Sequence, residues 1–283
     1  MRRARPALSA RAGLPLRHAV ALGLLQGPTE LLPVSSSGHT ALIPWLAGWP
    51  YAALDPELRK SFEVALHTGS GAALAIDMRG ELLAAARRLD RRHAAVIACS
   101  LVPPVLAGYA LERPIERRLG GPRSIAAGLI AGALAMTLAD LRPGRGARRE
   151  TDAGACDGLA LGLAQAAALI PGVSRNGATL TAARARGFRR GDAQALSWHA
   201  ALPVILGATT LRAWRICQRG IPDDVRPALA VGAAGALVST TASAGLLRRA
   251  GASERSLLPY SIYRCTIAAI AIGRLRRTQN MGR

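Results

Sequence analysis

Residues 21–40 read ALGLLQGPTELLPVSSSGHT, and residues 160–179 read ALGLAQAAALIPGVSRNGAT. Laid over one another with a shift of 139, they agree at 9 of 20 positions without a gap: Ala21/Ala160, Leu22/Leu161, Gly23/Gly162, Leu24/Leu163, Gln26/Gln165, Val34/Val173, Ser35/Ser174, Gly38/Gly177 and Thr40/Thr179. A chain rich in Ala and Leu produces Ala and Leu matches readily. It does not readily bring Gln, Ser, Gly and Thr into register. The shift is about half of the 283 residues, so the chain reads as two copies of one unit.

Both copies carry the same oddity. An apolar helical pattern runs into Pro33 or Pro171, passes through a Ser/Gly-rich stretch, and becomes apolar again. Proline removes a backbone donor and clashes with the preceding turn, while Gly38 and Gly177 allow φ > 0. The surroundings make this unusual. Stretches without Asp, Glu, Lys or Arg cover 31–54, 94–111, 124–139, 158–174, 193–211 and 227–247, which is 24, 18, 16, 17, 19 and 21 residues. A shorter one spans 64–76, and 256–273 is broken only by Arg264. About 20 apolar residues cross a bilayer as a helix, whereas a soluble bundle shows charge every turn or two on its outer face. Aromatics make up 4%, which argues against a barrel with aromatic girdles. The expected fold is all-α, a polytopic membrane protein of about six transmembrane helices plus two re-entrant helix hairpins in inverted repeats. Broken backbone survives at membrane depth only where it is buried in protein or lines a wet cavity. Paired Gly/Pro-interrupted segments in matching halves mark discontinuous helices that meet near the midplane. Two ordinary Pro-kinked helices are the plainer alternative.

The formal charge is +20, and Lys60 is the only lysine among 37 basic residues. A nucleic-acid binder is one reading of such a charge, but arginines cluster between the apolar stretches: Arg87, Arg88, Arg91 and Arg92; Arg142, Arg145, Arg148 and Arg149; Arg184, Arg186, Arg189 and Arg190; Arg248 and Arg249. That placement suits loops at anionic headgroups, and no nucleic-acid partner is expected. Nearly every loop is basic, so charge bias does not orient the chain. Residues 1–17 read as a basic arm at the membrane surface rather than a cleaved signal. Residues 18–283 read as a single integral-membrane domain, with repeats over about 18–141 and 157–275. Cys99, Cys156, Cys217 and Cys265 are isolated and read as small buried hydrophobes.

Ionisable groups inside membrane segments are expensive and mark sites. The first interruption holds Gln26, Glu30, Ser35, Ser36, Ser37 and His39, with Gln26 and Glu30 four apart on one helical face. The second holds Gly172, Ser174, Arg175, Asn176 and Thr179. New helix starts aim N–H groups inward, which suits an anion, and an arginine fork matches phosphate oxygens. Each residue also has a structural reading. Glu30 and Arg175 could form an ion pair, the serines could satisfy broken backbone, and His39 could be a hydrogen-bonded core histidine. His67 and His199 sit in apolar helices with no carboxylate at metal-site spacing, and no zinc spacing or phosphate-binding glycine loop occurs.

The segments GLLQGPTELLPVSSSGHTALI and PGVSRNGAT, with SFEVALHTGS at 61–70 and ALSWHAALPVILGAT at 195–209, resemble the undecaprenyl-diphosphate phosphatases of the bacitracin-resistance (BacA) type over essentially the whole chain. In that family's pattern Gln26 and Glu30 fill a Glu/Gln-x-x-x-Glu segment. Ser35, Ser36 and His39 fill a Ser-rich stretch, and Pro171, Gly172, Ser174, Arg175 and Thr179 fill a second segment. Asn176 stands where the family usually has Ser, and Gln26 leaves Glu30 as the segment's one carboxylate. The resemblance implies hydrolysis of undecaprenyl diphosphate to the monophosphate and phosphate at the outer face of the bacterial plasma (inner) membrane. That reaction recycles the carrier lipid for peptidoglycan synthesis and gives bacitracin resistance. It implies Arg175 as clamp on the terminal phosphate, with donors from Ser35, Ser36, Ser37, Ser174, Asn176, Thr179 and the Gly172 backbone. Glu30 is expected as ligand of a divalent cation (Mg2+ or Ca2+) or as general base, and Gln26 as its orienting partner. His39 as nucleophile or acid, Ser36 as rival nucleophile, and direct attack by water all stay open. The expected partners are a polyprenyl diphosphate and membrane lipids, with a homodimer allowed. The alternative function is a polyprenyl-phosphate flippase or anion transporter on the same repeats.

Overall fold

The computed structural model describes residues 14–87, 90–141, 147–219, 223–251 and 255–280. Residues 1–13 of the expected basic arm lie outside them, as do Arg88, Arg142 and Arg145 of the basic clusters. In chain order the helices are α1 (Leu16–Leu31), α2 (Ser36–Ala47), α3 (Pro56–Asp77), α4 (Arg79–Arg87), α5 (Arg91–Leu119), α6 (Pro122–Asp140), α7 (Ala155–Ala167), α8 (Arg175–Ala185), α9 (Arg190–Arg219), α10 (Arg226–Arg249) and α11 (Leu258–Asn280). No strand forms among the described residues, and one isolated bridge joins Arg148 to Phe188.

The 139-residue shift seen in the sequence carries the first residue of α1 onto that of α7, and the first residue of α2 onto that of α8. It also lays α3, α5 and α6 over α9, α10 and α11. These six longer helices run from 19 to 30 residues. At about 1.5 Å per residue each is roughly 28–45 Å long, enough for a hydrocarbon layer of about 30 Å. By length and composition α5, α6 and α10 are apolar enough to cross a membrane. α3 and α11 carry charge: α3 opens with Glu57, Arg59, Lys60 and Glu63, and α11 holds Arg264 in its middle. Three crossings, α3, α5 and α6, separate the two hairpins. An odd number turns the second copy over, so the two repeats run in opposite senses.

The repeats interlock by exchanging partners. Helix α1 packs along α10 of the second repeat, α7 packs along α5 of the first, and α6 packs against α11. Small residues allow the close approach. A Cβ on Gly27 would lie 2.3 Å from the Ser239 carbonyl carbon, and one on Gly162 would lie 2.7 Å from the Cys99 oxygen. The Ser239 hydroxyl accepts from the Gly27 amide at 3.1 Å and donates to the Gly23 carbonyl at 2.8 Å. Buried apolar clusters fill the joints, with Leu22, Phe62, Leu66 and Ala236 in one and Leu42, Ile125, Leu129 and Ala268 in another. Val102, Val105, Leu106 and Tyr109 of α5 and Leu134 and Leu138 of α6 point outward and stay exposed. A lipid-facing surface requires that of them.

Two expectations need correction. The basic clusters do not all face outward. Arg184 is buried against Asp140, Arg190 binds the same carboxylate at 3.0 Å, and Arg148 and Arg186 grip Asp157. Asp140 and Asp157 flank charge-free stretches, and the fold brings arginines to them from α8, from the start of α9 and from the segments beside them. The cysteines are not uniformly buried either: Cys156 is exposed in the first turn of α7, while Cys99 and Cys265 are half-buried. The side chain of Cys217 lies outside the described residues.

Candidate active site

The two breaks are built alike. Ser35 and Ser174 are the N-caps of α2 and α8, and their hydroxyls accept from the amides of Gly38 at 3.3 Å and Gly177 at 3.1 Å. Thr40 Oγ1 donates to the carbonyls of Ser36 and Ser37, and its repeat mate Thr179 donates to those of Arg175 and Asn176. Ser35 has φ +80°, and no other non-glycine among the described residues has positive φ. Such a conformation costs on the order of 1–3 kcal/mol and persists only where the surroundings hold it. At the second break the turn falls to Gly172 at φ +93°, where a Cβ would meet the Ile125 carbonyl oxygen at 2.2 Å.

Glu30 sits in the last turn of α1 with its side chain 3% exposed. Its Oε1 pairs with Arg175 Nη2 at the start of α8. Its Oε2 accepts from Ser36 Oγ at 2.7 Å and from Gln26 Nε2 at 3.3 Å. His67 of α3 closes the group, with Nδ1 3.7 Å from Glu30 Oε2 and 3.3 Å from Gln26 Nε2. A carboxylate, a guanidinium, a hydroxyl, an amide and an imidazole thus converge from α1, α2, α3 and α8.

The other sequence candidates occupy different places. His39 is fully buried one turn into α2, with Nδ1 2.7 Å from the Ser35 carbonyl oxygen and Nε2 2.8 Å from Tyr263 Oη. Its ring stacks on Tyr263, and both of its nitrogens have partners other than Glu30, Arg175 and Ser36. Ser37 is exposed, with its hydroxyl 3.4 Å from that of Ser35. Asn176 joins the breaks: its Nδ2 donates to the Leu31 carbonyl at 2.7 Å, and its Oδ1 accepts from Ser197 at 2.9 Å. Thr179 is fully buried with its hydroxyl 2.5 Å from Ser197 Oγ. A cavity of about 320 Å3 lies beside the first break, lined in part by Leu31, Pro33, Leu180, Arg184, Trp198 and Arg248; Glu30, Ser36 and Arg175 are not part of its lining.

Sequence reasoning missed three residues. Arg264 is fully buried in α11, where Nη1 donates to the Pro33 carbonyl at 3.2 Å and Nη2 to the Gly172 carbonyl at 3.2 Å. Nη2 also lies 3.4 Å from the Gly128 carbonyl. Pro33 and Gly172 are repeat-equivalent under the 139-residue shift, so one guanidinium ties the two breaks together. Tyr263 holds His39, and His67 meets Gln26 and Glu30. Arg264 and His67 each carried a legible signal as an ionisable group inside a charge-poor stretch; Tyr263 carried none. His67 and His199 each meet one carboxylate from another element, Glu30 at 3.7 Å and Glu150 at 2.6 Å, and among the described residues neither pair belongs to a cluster that could hold a metal. Spacing along one helix is blind to an acid delivered by another element.

Among the described residues no three His, Cys, Asp or Glu side chains form a cluster that could hold a metal ion. Glu30 is the one acid in the group and is already paired with Arg175. A Mg2+-type ion would have Glu30 as its one protein ligand here, and substrate phosphate oxygens and water would have to complete its shell.

Fold and site together define a class: helical membrane proteins of two interlocked inverted repeats, whose broken helices gather an acid, a hydroxyl and a guanidinium at their meeting point. Within that class the chain belongs to the Bacitracin resistance protein BacA family, whose model matches residues 19–270. It is 38% identical over 264 residues to an undecaprenyl-diphosphatase of Geobacter sulfurreducens, covering 89% of this chain and 95% of that one. Similar proteins of the same name occur in Geobacter metallireducens, at 36% over 89% of this chain and 95% of the relative, and in Pelobacter propionicus, at 37% over 88% and 93%.

Proposed function

We propose that this chain hydrolyses undecaprenyl diphosphate to undecaprenyl phosphate and inorganic phosphate, and so returns the carrier lipid to peptidoglycan synthesis. The observation that carries the reading is the double grip on Glu30, by Arg175 on one oxygen and Ser36 on the other. Phosphoryl transfer asks mainly for positioning and for stabilised charge on the phosphate oxygens. Arg175, one quarter exposed at a helix start, can receive the terminal phosphate on its remaining donors.

Ser36 is the nucleophile this geometry supports, because its hydroxyl already donates to a carboxylate at 2.7 Å. Its Oγ forms a bond to the terminal phosphorus, and its proton passes to Glu30. The bond from that phosphorus to the bridging oxygen breaks, and polyprenyl phosphate leaves with the electron pair. Water then attacks the phosphoserine, phosphate departs, and Ser36 recovers a proton. Gln26 orients Glu30 throughout. A divalent cation, Mg2+ or Ca2+, would be held by Glu30 with diphosphate oxygens and water; when bound it neutralises phosphate charge. The polyprenyl tail stays in lipid, and the site is read as opening to the outer face of the bacterial plasma membrane.

Purified protein in detergent tests the reading directly. Phosphate release from undecaprenyl diphosphate by wild type, lost in Glu30→Gln and Arg175→Ala, supports it. A folded wild type that releases none overturns it in favour of transport on the same repeats.

A further inference from the structure

We propose that His67 is a positioning residue for this reaction, and that it sets the orientation of Glu30 through the side-chain amide of Gln26. The inference rests on the activity proposed above.

Hydrogen-bond chemistry fixes the direction of the contacts. Glu30 Oε2 only accepts, so Gln26 must offer it the amide nitrogen, which lies 3.3 Å away. That same nitrogen is 3.3 Å from His67 Nδ1. One NH2 group carries two hydrogens: with one on Glu30, the other points to Nδ1, which then accepts. The imidazole is thereby fixed as the neutral tautomer protonated on Nε2. Glu30 is held from one side by Arg175 and Ser36, and from the other by an amide that His67 keeps in place.

Without His67 the second hydrogen of the Gln26 amide loses its acceptor, and the amide is free to turn away from Glu30 Oε2, the oxygen that Ser36 needs as base.

The second repeat supplies an internal comparison. There Gln165 stands for Gln26, Leu169 for Glu30 and Leu206 for His67. Gln165 donates to the carbonyls of Ser100 at 3.1 Å and Ala200 at 3.3 Å. The imidazole and the acid are present in the same repeat and missing from the same repeat.

The experiment measures phosphate release from undecaprenyl diphosphate at pH 8 for wild type, His67→Ala and His67→Gln, and records the nitrogen resonances of 15N-histidine-labelled wild type in detergent. His67→Ala should lower kcat about 10-fold, the scale of a lost orienting partner, with KM little changed. His67→Gln, whose side-chain oxygen can accept from Gln26 as Nδ1 does, should recover most of it. His67 Nδ1 should appear unprotonated at pH 8. A folded His67→Ala with wild-type kcat overturns the proposal, as does a His67→Gln no better than His67→Ala, or a proton on Nδ1 at pH 8. The Nδ1 resonance belongs to the fold, so it tests the Gln26 contact even if wild type releases no phosphate and the activity reading falls.

Discussion

Ser36 and Arg175 stand at the same position of the two repeats, and each holds one oxygen of Glu30. Duplication supplied two equivalent helix starts aimed at one point. Divergence then put a hydroxyl on one and a guanidinium on the other. The acid itself has no counterpart, because its repeat mate is Leu169. A symmetric scaffold therefore carries one asymmetric site, as a substrate with one scissile bond requires.

Arg175→Ala should lower kcat/KM by about 100- to 1,000-fold, since a charge-stabilising donor in a water-poor site is worth roughly 3–4 kcal/mol. It should also destabilise the protein, by leaving a carboxylate that is 3% exposed without its partner. Adding Glu30→Gln should restore most of the thermal stability and none of the turnover. Unfolding curves in detergent and phosphate release separate the two effects. Near-normal turnover of a folded Arg175→Ala protein contradicts the assignment.

Quenching the reaction with phosphorus-labelled substrate should trap an acid-stable, alkali-labile phosphoserine, absent in Ser36→Ala. An acid-labile adduct lost in His39→Ala would instead make His39 the nucleophile. No adduct under rapid quench would leave attack to water. The bonds of both His39 nitrogens, to Ser35 and to Tyr263, are the reason to expect the first result.

Much of this was legible in the chain, for physical reasons. The hairpins were readable because Pro33 and Pro171 stand in Ser/Gly-rich stretches repeated in both halves, but the details were not: Gly38 and Gly177 lie inside α2 and α8, the positive φ falls on Ser35 and Gly172, and Pro28 and Pro44 stay within helices. The Gln26 to Glu30 contact was readable because a helix places residues four apart side by side. The pairing of Glu30 with Arg175 was readable as a choice only, since two costly charges in apolar stretches must find partners. Local rules end there. Whether His39 faced Glu30 or Tyr263 depended on how α11 packs against α2. Asn176, which replaces a shorter residue of the family pattern, turned out to span from α8 to the Leu31 carbonyl. No periodicity encodes such contacts.

Divalent metal should be required with substrate and weakly held without it. EDTA should abolish phosphate release, and added Mg2+ or Ca2+ should restore it. Calorimetry of the protein alone should show no binding in the micromolar range, because one carboxylate does not make a cation cage. Tight binding by the substrate-free protein would show that residues beyond Glu30 complete the site.

Arg264 is the residue whose loss should most change the relation between the breaks. Its Nη groups reach the repeat-equivalent carbonyls of Pro33 and Gly172, and its Nε lacks a partner among the described residues. Hydrogen bonds to a charged donor are worth about 1.5–3 kcal/mol each, so Arg264→Met should cost roughly 3 kcal/mol or more and unfold well below wild type. Arg264→Lys keeps the charge, but a single ammonium lacks the rigid fork that spans both carbonyls. It should recover part of the thermal stability and leave turnover reduced at least 10-fold, because Ser36 and Arg175 are set by the breaks that Arg264 joins. Thermal unfolding and phosphate release, measured on both variants, check this. Full activity in Arg264→Lys would mean that charge alone, and not the two-armed geometry, holds the hairpins in register.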